Sequence, residues 1–292
     1  MARLELRRPE NAPGDLFVDS TCIDCDTCRW MAPETFVRKS GMSAVAAQPL
    51  DAGSRRRALQ ALVSCPTASI GTATKAPDLA QAAQDFPIPV AGSVHHCGYH
   101  SESSFGATSY LIKHPAGNVL IDSPRFAGPL VKRLEEMGGV AWMLLTHRDD
   151  VADHKRFAKH FGLRRVIHAG DNTIGSDAQV VEGTEQAEIL PGLTAIPTPG
   201  HTAGHMVFRW QDPQVGLMLF TGDHLAWDDE AGHLEAWPDV CWYDWGEQTA
   251  SMERLLQHPF EWVLPGHGRR GHLPWAGMGK ELARLVEWMK KQ

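Results

Sequence analysis

Four apolar segments from residue 144 onward each end in a histidine or an aspartate. In chain order they read LLTHRDDVADH, IPTPGHTAGH, MLFTGDHLAWD and WVLPGHG. One such segment is usually structural, because aspartate forms Asx-turns and caps helices. Four in succession, each after a strand-like run, are difficult to explain as turn chemistry. Since histidine and aspartate are metal ligands, the repetition indicates metal binding at the ends of strands.

The first segment holds most of these ligands. THRDDVADH, residues 146–154, contains two histidines and three aspartates. The preceding run VAWMLL predicts a buried strand, and VADHKRFAKHFG predicts a helix. Because a helix often begins with an aspartate cap, Asp149 or Asp150 is either a metal ligand or an N-cap.

Cysteines are closely spaced near the N-terminus. Cys22, Cys25 and Cys28 follow C-x2-C-x2-C spacing, and proline follows Cys65. Three thiolates so spaced can hold three corners of an iron–sulfur cube, while the fourth ligand comes from a distant segment. Structural zinc is the alternative, although zinc usually draws on two cysteine pairs. Residues 1–75 thus resemble a small bacterial ferredoxin, an α+β domain with one [4Fe-4S] cluster.

Composition limits the organisation and the partners of the chain. The segment 76–89 is rich in alanine, proline and glutamine and predicts a linker. A net charge of -7 argues against a broad nucleic-acid or acidic-membrane surface. No run approaches the ~20 apolar residues that span a bilayer, and no secretory signal is visible, so we expect a cytoplasmic protein.

Residues 90–292 resemble the metallo-β-lactamase superfamily through the four ligand-bearing segments. The resemblance implies an α/β fold, an αββα sandwich with metal ligands on loops at one edge of its two sheets. It makes His201 the third ligand of a first metal, Asp223 the carboxylate bridging two metals and His267 the last ligand of the second metal. The flanking glycines of these segments match the family as well.

The first family motif, His-x-His-x-Asp-His, is altered in this chain. His147 and Asp153 lie six positions apart instead of four, and Asp149 stands where the second histidine is expected. Carried over residue by residue, the motif assigns one metal to His147, Asp149 and His201. It assigns the other metal to Asp153, His154 and His267, with Asp153 also orienting a catalytic hydroxide. Asp150 is an alternative to Asp149.

These ligands leave three functions open. A carboxylate in place of a histidine shifts preference from zinc towards iron or manganese, so the two divalent ions are zinc, iron or manganese. The first function is a binuclear hydrolase of a small ester or thioester. The second is a di-iron oxidoreductase, because flavodiiron proteins of the same superfamily also carry a carboxylate at the second histidine position; the cluster would then supply electrons. The third is an iron–sulfur sensor. The expected partners are a small-molecule substrate and a redox partner for the cluster.

The remaining polar and aromatic residues receive more ordinary predictions. We expect His95, His96 and His100 to be surface polar residues. We expect His205, His224 and His233 to orient the metal ligands. The tryptophan-rich segment 227–245 either packs on the core or forms a lid over the metals. Asp24 and Asp26 predict a low cluster potential if they lie near the cluster, and Arg269 and Arg270 are candidates for holding an anionic group.

Overall fold

The computed structural model describes residues 2–292, which divide into two compact units. Unit 1 comprises the chain up to Ile88 together with His96–Ser109 and Pro124–Gly138, and unit 2 comprises Pro89–His95, Tyr110–Ser123 and Gly139–Gln292. Among the described residues, no helix is both long and apolar enough to cross a bilayer.

Unit 1 combines short strands with four helices. Its elements are β1 (Leu16–Val18), α1 (Thr27–Met31), β2 (Phe36–Lys39), β3 (Met42–Val45), α2 (Ala52–Ser64), β4 (Ile70–Thr72), α3 (Leu79–Gln84) and α4 (Gly128–Glu136). Strand β1 pairs with β4 and β2 pairs with β3, both antiparallel. The small core between them includes Leu16, Phe36 and Ile70 as well as two of the clustered cysteines.

The segment predicted as a linker contains α3. Ala82 on this helix and Phe86 just after it are fully buried. Arg55 on α2 pairs with Asp78 at 2.5 Å, and Arg56 pairs with Asp85. These ion pairs join the segment to α2. The boundaries at residues 75 and 89 stay a prediction, because unit 1 also takes in two later segments.

Unit 2 is built around a mixed sheet of seven strands. They are β5 (Ile88–Ala91), β6 (Val94–His96), β7 (Tyr110–Ile112), β8 (Val119–Ile121), β9 (Trp142–Leu144), β10 (Arg164–His168) and β11 (Gln179–Val181), in the spatial order β11-β10-β9-β8-β7-β6-β5. Strands β8 to β11 run parallel, and β7 and β8 form an antiparallel hairpin.

A second sheet of six strands completes this unit. It comprises β12 (Ala187–Leu190), β13 (Leu193–Pro197), β14 (Met206–Asp212), β15 (Gly216–Gly222), β18 (Trp262–Pro265) and β19 (Gly271–His272), paired in that order. The strands β16 (Ala226–Asp228) and β17 (His233–Glu235) form a separate hairpin. The helices of unit 2 are α5 (His154–Phe161), α6 (Trp245–Leu255) and α7 (Trp275–Met289).

Alternating residues of the second sheet divide between two apolar clusters. Phe208 and Phe220 pack with Ile121 and Leu144 of the first sheet, whereas Leu219 packs with residues of α6 and α7. Successive side chains of a strand point to opposite faces, so one face of this sheet contacts the other sheet and the opposite face contacts helices. The predicted strand β9 and the predicted helix α5 are both confirmed.

Candidate metal centres

Four strands of unit 2 end next to the predicted metal ligands. His147 follows β9, His201 follows β13, Asp223 follows β15 directly and His267 follows β18. Strand β13 is antiparallel to β14, β14 is antiparallel to β15, and β15 is parallel to β18. The carboxyl ends of β13, β15 and β18 therefore lie at the same edge of their sheet, which brings the loops that follow them together.

The first group of ligand atoms contains His147, His201 and Asp223. The Oδ2 atom of Asp223 lies 3.6 Å from Nε2 of His147 and 3.5 Å from Nε2 of His201. These separations suit atoms that share one metal ion at bond lengths of roughly 2.0–2.2 Å. Asp149 joins this group at longer distances, with its Oδ2 atom 3.9 Å from Nε2 of His147 and 4.0 Å from Nε2 of His201.

The second group contains Asp150, Asp223 and His267. One ligand atom from each residue lies within 4.8 Å of the other two, and Nε2 of His267 is 3.7 Å from Oδ2 of Asp223. Asp223 therefore belongs to both groups, as expected of a bridging carboxylate. Asp150 is buried, whereas the side chain of Asp149 is 48% exposed.

Asp153 and His154 lie outside both groups. His154 is the first residue of α5, and its Nδ1 atom accepts a hydrogen bond from Nη1 of Arg165 at 2.7 Å. Asp153 precedes the helix and lies 3.6 Å from Arg156. The two extra positions between His147 and Asp153 explain why these residues are not where the resemblance predicts. They place Asp153 and His154 at the start of α5. Asp150 takes the place beside His267 that the resemblance gave to these two residues.

Burial makes the carboxylates of this site electrostatically dependent on each other. Burial, together with the negative charges of Asp223 and Asp122, raises the pKa of Asp150 well above its ordinary value. Burial alone would also raise the pKa of Asp223, but the imidazoles of His267 and the first-group histidines lower it below its ordinary value. Like-charged groups in a buried site resist joint ionisation unless cations compensate them.

Buried polar residues support the ligands from behind. Asp122 accepts hydrogen bonds from the amide and hydroxyl of Thr146, whose Oγ1 lies 3.0 Å from Nδ1 of His147. Burial raises the pKa of Asp122 to about 8. The imidazole of His205 accepts from the amide of Asp223 at 3.3 Å and lies 3.8 Å, centroid to centroid, from that of His224.

His205 and His224 thus lie behind the metal ligands, where they were predicted. His233 lies on β17, and its Nδ1 atom is 3.1 Å from the carbonyl oxygen of Leu234. Gly222 has a φ of +49°, and a Cβ there would approach Nε2 of His205 to 2.6 Å. The turn before Asp223 therefore requires glycine.

Several ligand atoms are buried without a hydrogen bond. They include Nε2 of His147, Nε2 of His201, Oδ2 of Asp150 and Oδ1 of Asp223. Buried polar atoms normally have partners, and a bound ion would supply one for a converging set of such atoms. Burial lowers the pKa of His201 to about 4, so at neutral pH its imidazole is neutral, the form that binds metals. The residues therefore fit a pair of divalent cations.

The four clustered cysteines of unit 1 line a single cavity. Cys22, Cys25, Cys28 and Cys65 are free thiols, and all four line it. Tetrahedral zinc would hold its sulfurs roughly 3.8 Å apart at 2.3 Å bond lengths. Among residues 2–292, no three cysteine sulfurs lie within 4.8 Å of one another. Wider separation suits the corners of an iron–sulfur cube.

Acidic residues in the cysteine loop are paired with arginines. Arg29 lies 2.7 Å from Asp24 and 2.5 Å from Asp26, and Arg38 lies 2.8 Å from Asp24. The guanidinium charges offset those of the carboxylates. The low reduction potential expected from these aspartates stays a prediction, and the ion pairs weaken the reason for it.

Two histidines expected at the surface are instead buried beside the cysteine loop. His96 is 2% and His100 is 0% exposed, and their Nε2 atoms are 2.8 Å apart. Nδ1 of His100 donates to the carbonyl of Gly106 at 2.6 Å and lies 3.2 Å from Oγ1 of Thr27. The surface prediction for these two residues is wrong, because a polar sequence context does not reveal a buried hydrogen-bonded pair.

This network reaches one of the cysteines. The Cys25 thiol donates to Oγ1 of Thr27 at 3.5 Å; in a metal-bound thiolate the hydroxyl would be the donor. Gly106 has a φ of +86°, and a Cβ there would lie 3.0 Å from the sulfur of Cys25. The backbone at Gly106 therefore closes over this ligand.

Comparison with known proteins agrees with this architecture. The profile of the Metallo-beta-lactamase superfamily matches residues 95–277, more than half of the chain. The chain belongs to the metallo-beta-lactamase superfamily. The predicted α/β fold is thereby confirmed. The profile described as 4Fe-4S single cluster domain of Ferredoxin I matches residues 18–72, which include all four clustered cysteines.

Individual curated relatives match part of the chain. A hydroxyacylglutathione hydrolase of Cereibacter sphaeroides is 34% identical over 123 residues, 39% of this chain and 47% of that protein. One from Acidiphilium cryptum is 32% identical over 111 residues, 36% of this chain and 44% of that protein. The chain spans about half the length of the relatives it matches.

The solved structures include the FEZ-1 metallo-beta-lactamase from Legionella gormanii. It is 16% identical, with a TM-score of 0.49 over 70% of this chain and 95% of that chain. The Rm3 metallo-beta-lactamase is also 16% identical, with a TM-score of 0.47 over 69% of this chain and 93% of that chain.

Exchanging each of two aspartates tests the second metal group. Asp150→Asn should remove about one non-cluster metal ion per chain, because a neutral amide replaces an anionic ligand. The matched change Asp153→Asn should leave the metal content unchanged. Elemental analysis of both purified variants measures this. The reverse pattern would restore Asp153 to the site and remove Asp150.

Removing the Thr27 hydroxyl tests the hydrogen bond to Cys25. Thr27→Val should lower the reduction potential of the cluster by roughly 40 mV, since about 1 kcal/mol of hydrogen bonding to the reduced form is lost. Thr27→Ser, which keeps the hydroxyl, should retain the wild-type potential. A redox titration followed by electron paramagnetic resonance measures both. Equal potentials in the wild type and the valine variant would contradict this role.

Proposed function

We propose that this chain is a binuclear metal-dependent hydrolase of small esters or thioesters with a fused [4Fe-4S] redox domain. One observation carries the proposal: ligand atoms of His147, His201 and Asp150 that are buried without a hydrogen bond converge on Asp223. They come from loops that follow strands of both sheets. That arrangement suits two ions bridged by one carboxylate. In such a site, two divalent ions supply Lewis acidity and lower the pKa of a water molecule.

The residues divide into three roles in this proposal. His147, His201 and Asp149 hold the first ion, and Asp150 and His267 hold the second, with Asp223 shared. Thr146 and Asp122 orient His147 through the hydrogen bonds that join them. Asp149 lies on the solvent side of the site and is the most exposed of the ligand carboxylates, so a substrate would approach past it.

The proposed substrate class rests on superfamily relatives. The curated relatives are hydroxyacylglutathione hydrolases, and hydroxyacylglutathione is a thioester. The chain spans about half their length. We therefore propose hydrolysis of an ester or thioester for this chain, but not recognition of glutathione. Hydrolysis itself needs no electrons, so the cysteine domain would regulate the enzyme or dock it to a redox partner.

A di-iron oxidoreductase is the second candidate, and the donor set favours it. The two groups contain three carboxylates, Asp149, Asp150 and Asp223, against three histidines. Carboxylate-rich sites prefer iron or manganese more than histidine-rich sites do. An iron pair could accept single electrons from the cysteine-bound cluster and reduce dioxygen, nitric oxide or an organic substrate.

The metal content separates these two functions. Protein purified without oxygen should contain about four irons and four acid-labile sulfides per chain from the cluster, together with two zinc ions if it is a hydrolase. Elemental analysis and sulfide determination measure all three quantities. About six irons with four sulfides would overturn the zinc hydrolase and support the di-iron centre.

Hydrolysis can be tested with a ligand variant. The wild type should cleave a hydroxyacyl thioester or p-nitrophenyl acetate, and His201→Ala should lower kcat/KM about 100-fold or more because a metal ligand is lost. His258→Ala is the matched control, since this histidine lies on the turn after α6 and is not among the ligands. Equal rates in both variants would overturn the assignment of His201.

A further inference from the structure

Trp242 is an exposed aromatic residue beside a metal ligand. Its ring centroid lies 6.3 Å from that of His201, with the two planes at 65°. Trp242 is 64% exposed, whereas His201 is 1% exposed. Single exposed apolar residues are common on protein surfaces. Trp242 differs from most of them because one part of its ring meets a residue of the proposed active site.

Backbone hydrogen bonds hold the segment that carries Trp242 beside His201. The amide of Trp242 donates to the carbonyl of His201 at 3.1 Å, and the amide of Asp244 donates to the carbonyl of Gly200 at 2.9 Å. The Cys241 thiol also donates to the carbonyl of Gly200, at 3.2 Å. Residues 241–244 therefore run along the loop that carries His201. Because its backbone is held beside His201, the exposed ring of Trp242 is positioned for contact with a ligand at that site.

Other tryptophans of the same segment have packing roles that Trp242 lacks. Trp227 and Trp245 are partly buried and pack against the core of α6 and α7, and the indole of Trp245 donates to the carbonyl of Met289 at 3.1 Å. Of the two alternatives for this segment, core packing thus accounts for these residues. It does not account for Trp242.

We propose that the exposed face of Trp242 forms one wall of a substrate subsite for an apolar, uncharged arm, such as an aromatic or alkyl group next to the scissile bond. The inference rests on the proposed function, because it places the reacting carbonyl at the metals beside His201. The flanking residues Asp239 and Asp244 are exposed carboxylates, which disfavour an anionic arm. Aromatic rings offer a large apolar contact area at low entropic cost.

Thiols that bind metals can probe the subsite without any hydrolysis. Phenylmethanethiol and ethanethiol both offer a thiolate to the metals, but only the first carries an aromatic ring. Covering roughly 50–60 Å² of apolar surface on Trp242 corresponds to about a tenfold gain in affinity. The metal-loaded wild type should therefore bind phenylmethanethiol about tenfold more tightly than ethanethiol in isothermal titration calorimetry.

Two variants isolate the contribution of the indole. Trp242→Ala should bring the affinity ratio of the two thiols close to one while ethanethiol binding stays unchanged. Tyr243→Ala removes the neighbouring aromatic residue, which is 55% exposed, and should keep the tenfold ratio. Because Trp242 is mostly exposed, its removal should leave folding intact.

The outcomes distinguish this inference from the proposed function. If both thiols bind and Trp242→Ala keeps the wild-type ratio, the subsite is overturned while the metal centre stands. If neither thiol binds the metal-loaded wild type, the binuclear centre itself is overturned, and the subsite with it. A loss of preference in Tyr243→Ala alone would also overturn the role of Trp242.

Discussion

The carboxylate of Asp223 is the interaction on which the second unit depends. It is reached from the ends of strands in both sheets, with three imidazole nitrogens within 3.7 Å of one of its oxygens. Asp150 and Asp122 add two more buried carboxyl groups nearby. In a medium of low dielectric constant, this concentration of negative charge is compatible with a folded state only when protons or metal cations offset it. Metal binding and the stability of this edge are therefore linked.

Much of that edge could be predicted because strand ends are simple to recognise. His201, Asp223 and His267 each follow an apolar run, and neighbouring strands of one direction deliver their ends to the same place. The first motif was harder. Whether Asp150 or Asp153 meets His267 depends on the path of a loop that is held by the bond from the Ser123 amide to the Asp150 carbonyl, at 3.2 Å. Local sequence carries no signal for a contact between residues so far apart.

At the cysteine site, too, the sequence predicted the ligands that are close together in the chain but not the contacts from residues far along it. The spacing of Cys22, Cys25 and Cys28 identified a cluster domain from a few residues, because the ligands of an iron–sulfur cube repeat at short intervals. The environment of those ligands was not predicted. His100 and Gly106 reach Thr27 and Cys25 from more than 70 positions along the chain, and only folding shows that they meet.

The contacts that His100 and Gly106 make with the cysteine loop affect where this protein could be cut into fragments. A fragment ending at residue 89 would contain all four cysteines but would lack Gly106, His100 and the helix α4, which belong to the same compact unit. Cutting the chain after residue 89 would therefore remove contacts of the cysteine loop that lie outside the match to residues 18–72. The chain passes back and forth between the two units, because two segments of the second unit lie in sequence between segments of the first. Such interleaving means that neither part can be gained, lost or exchanged by a single cut.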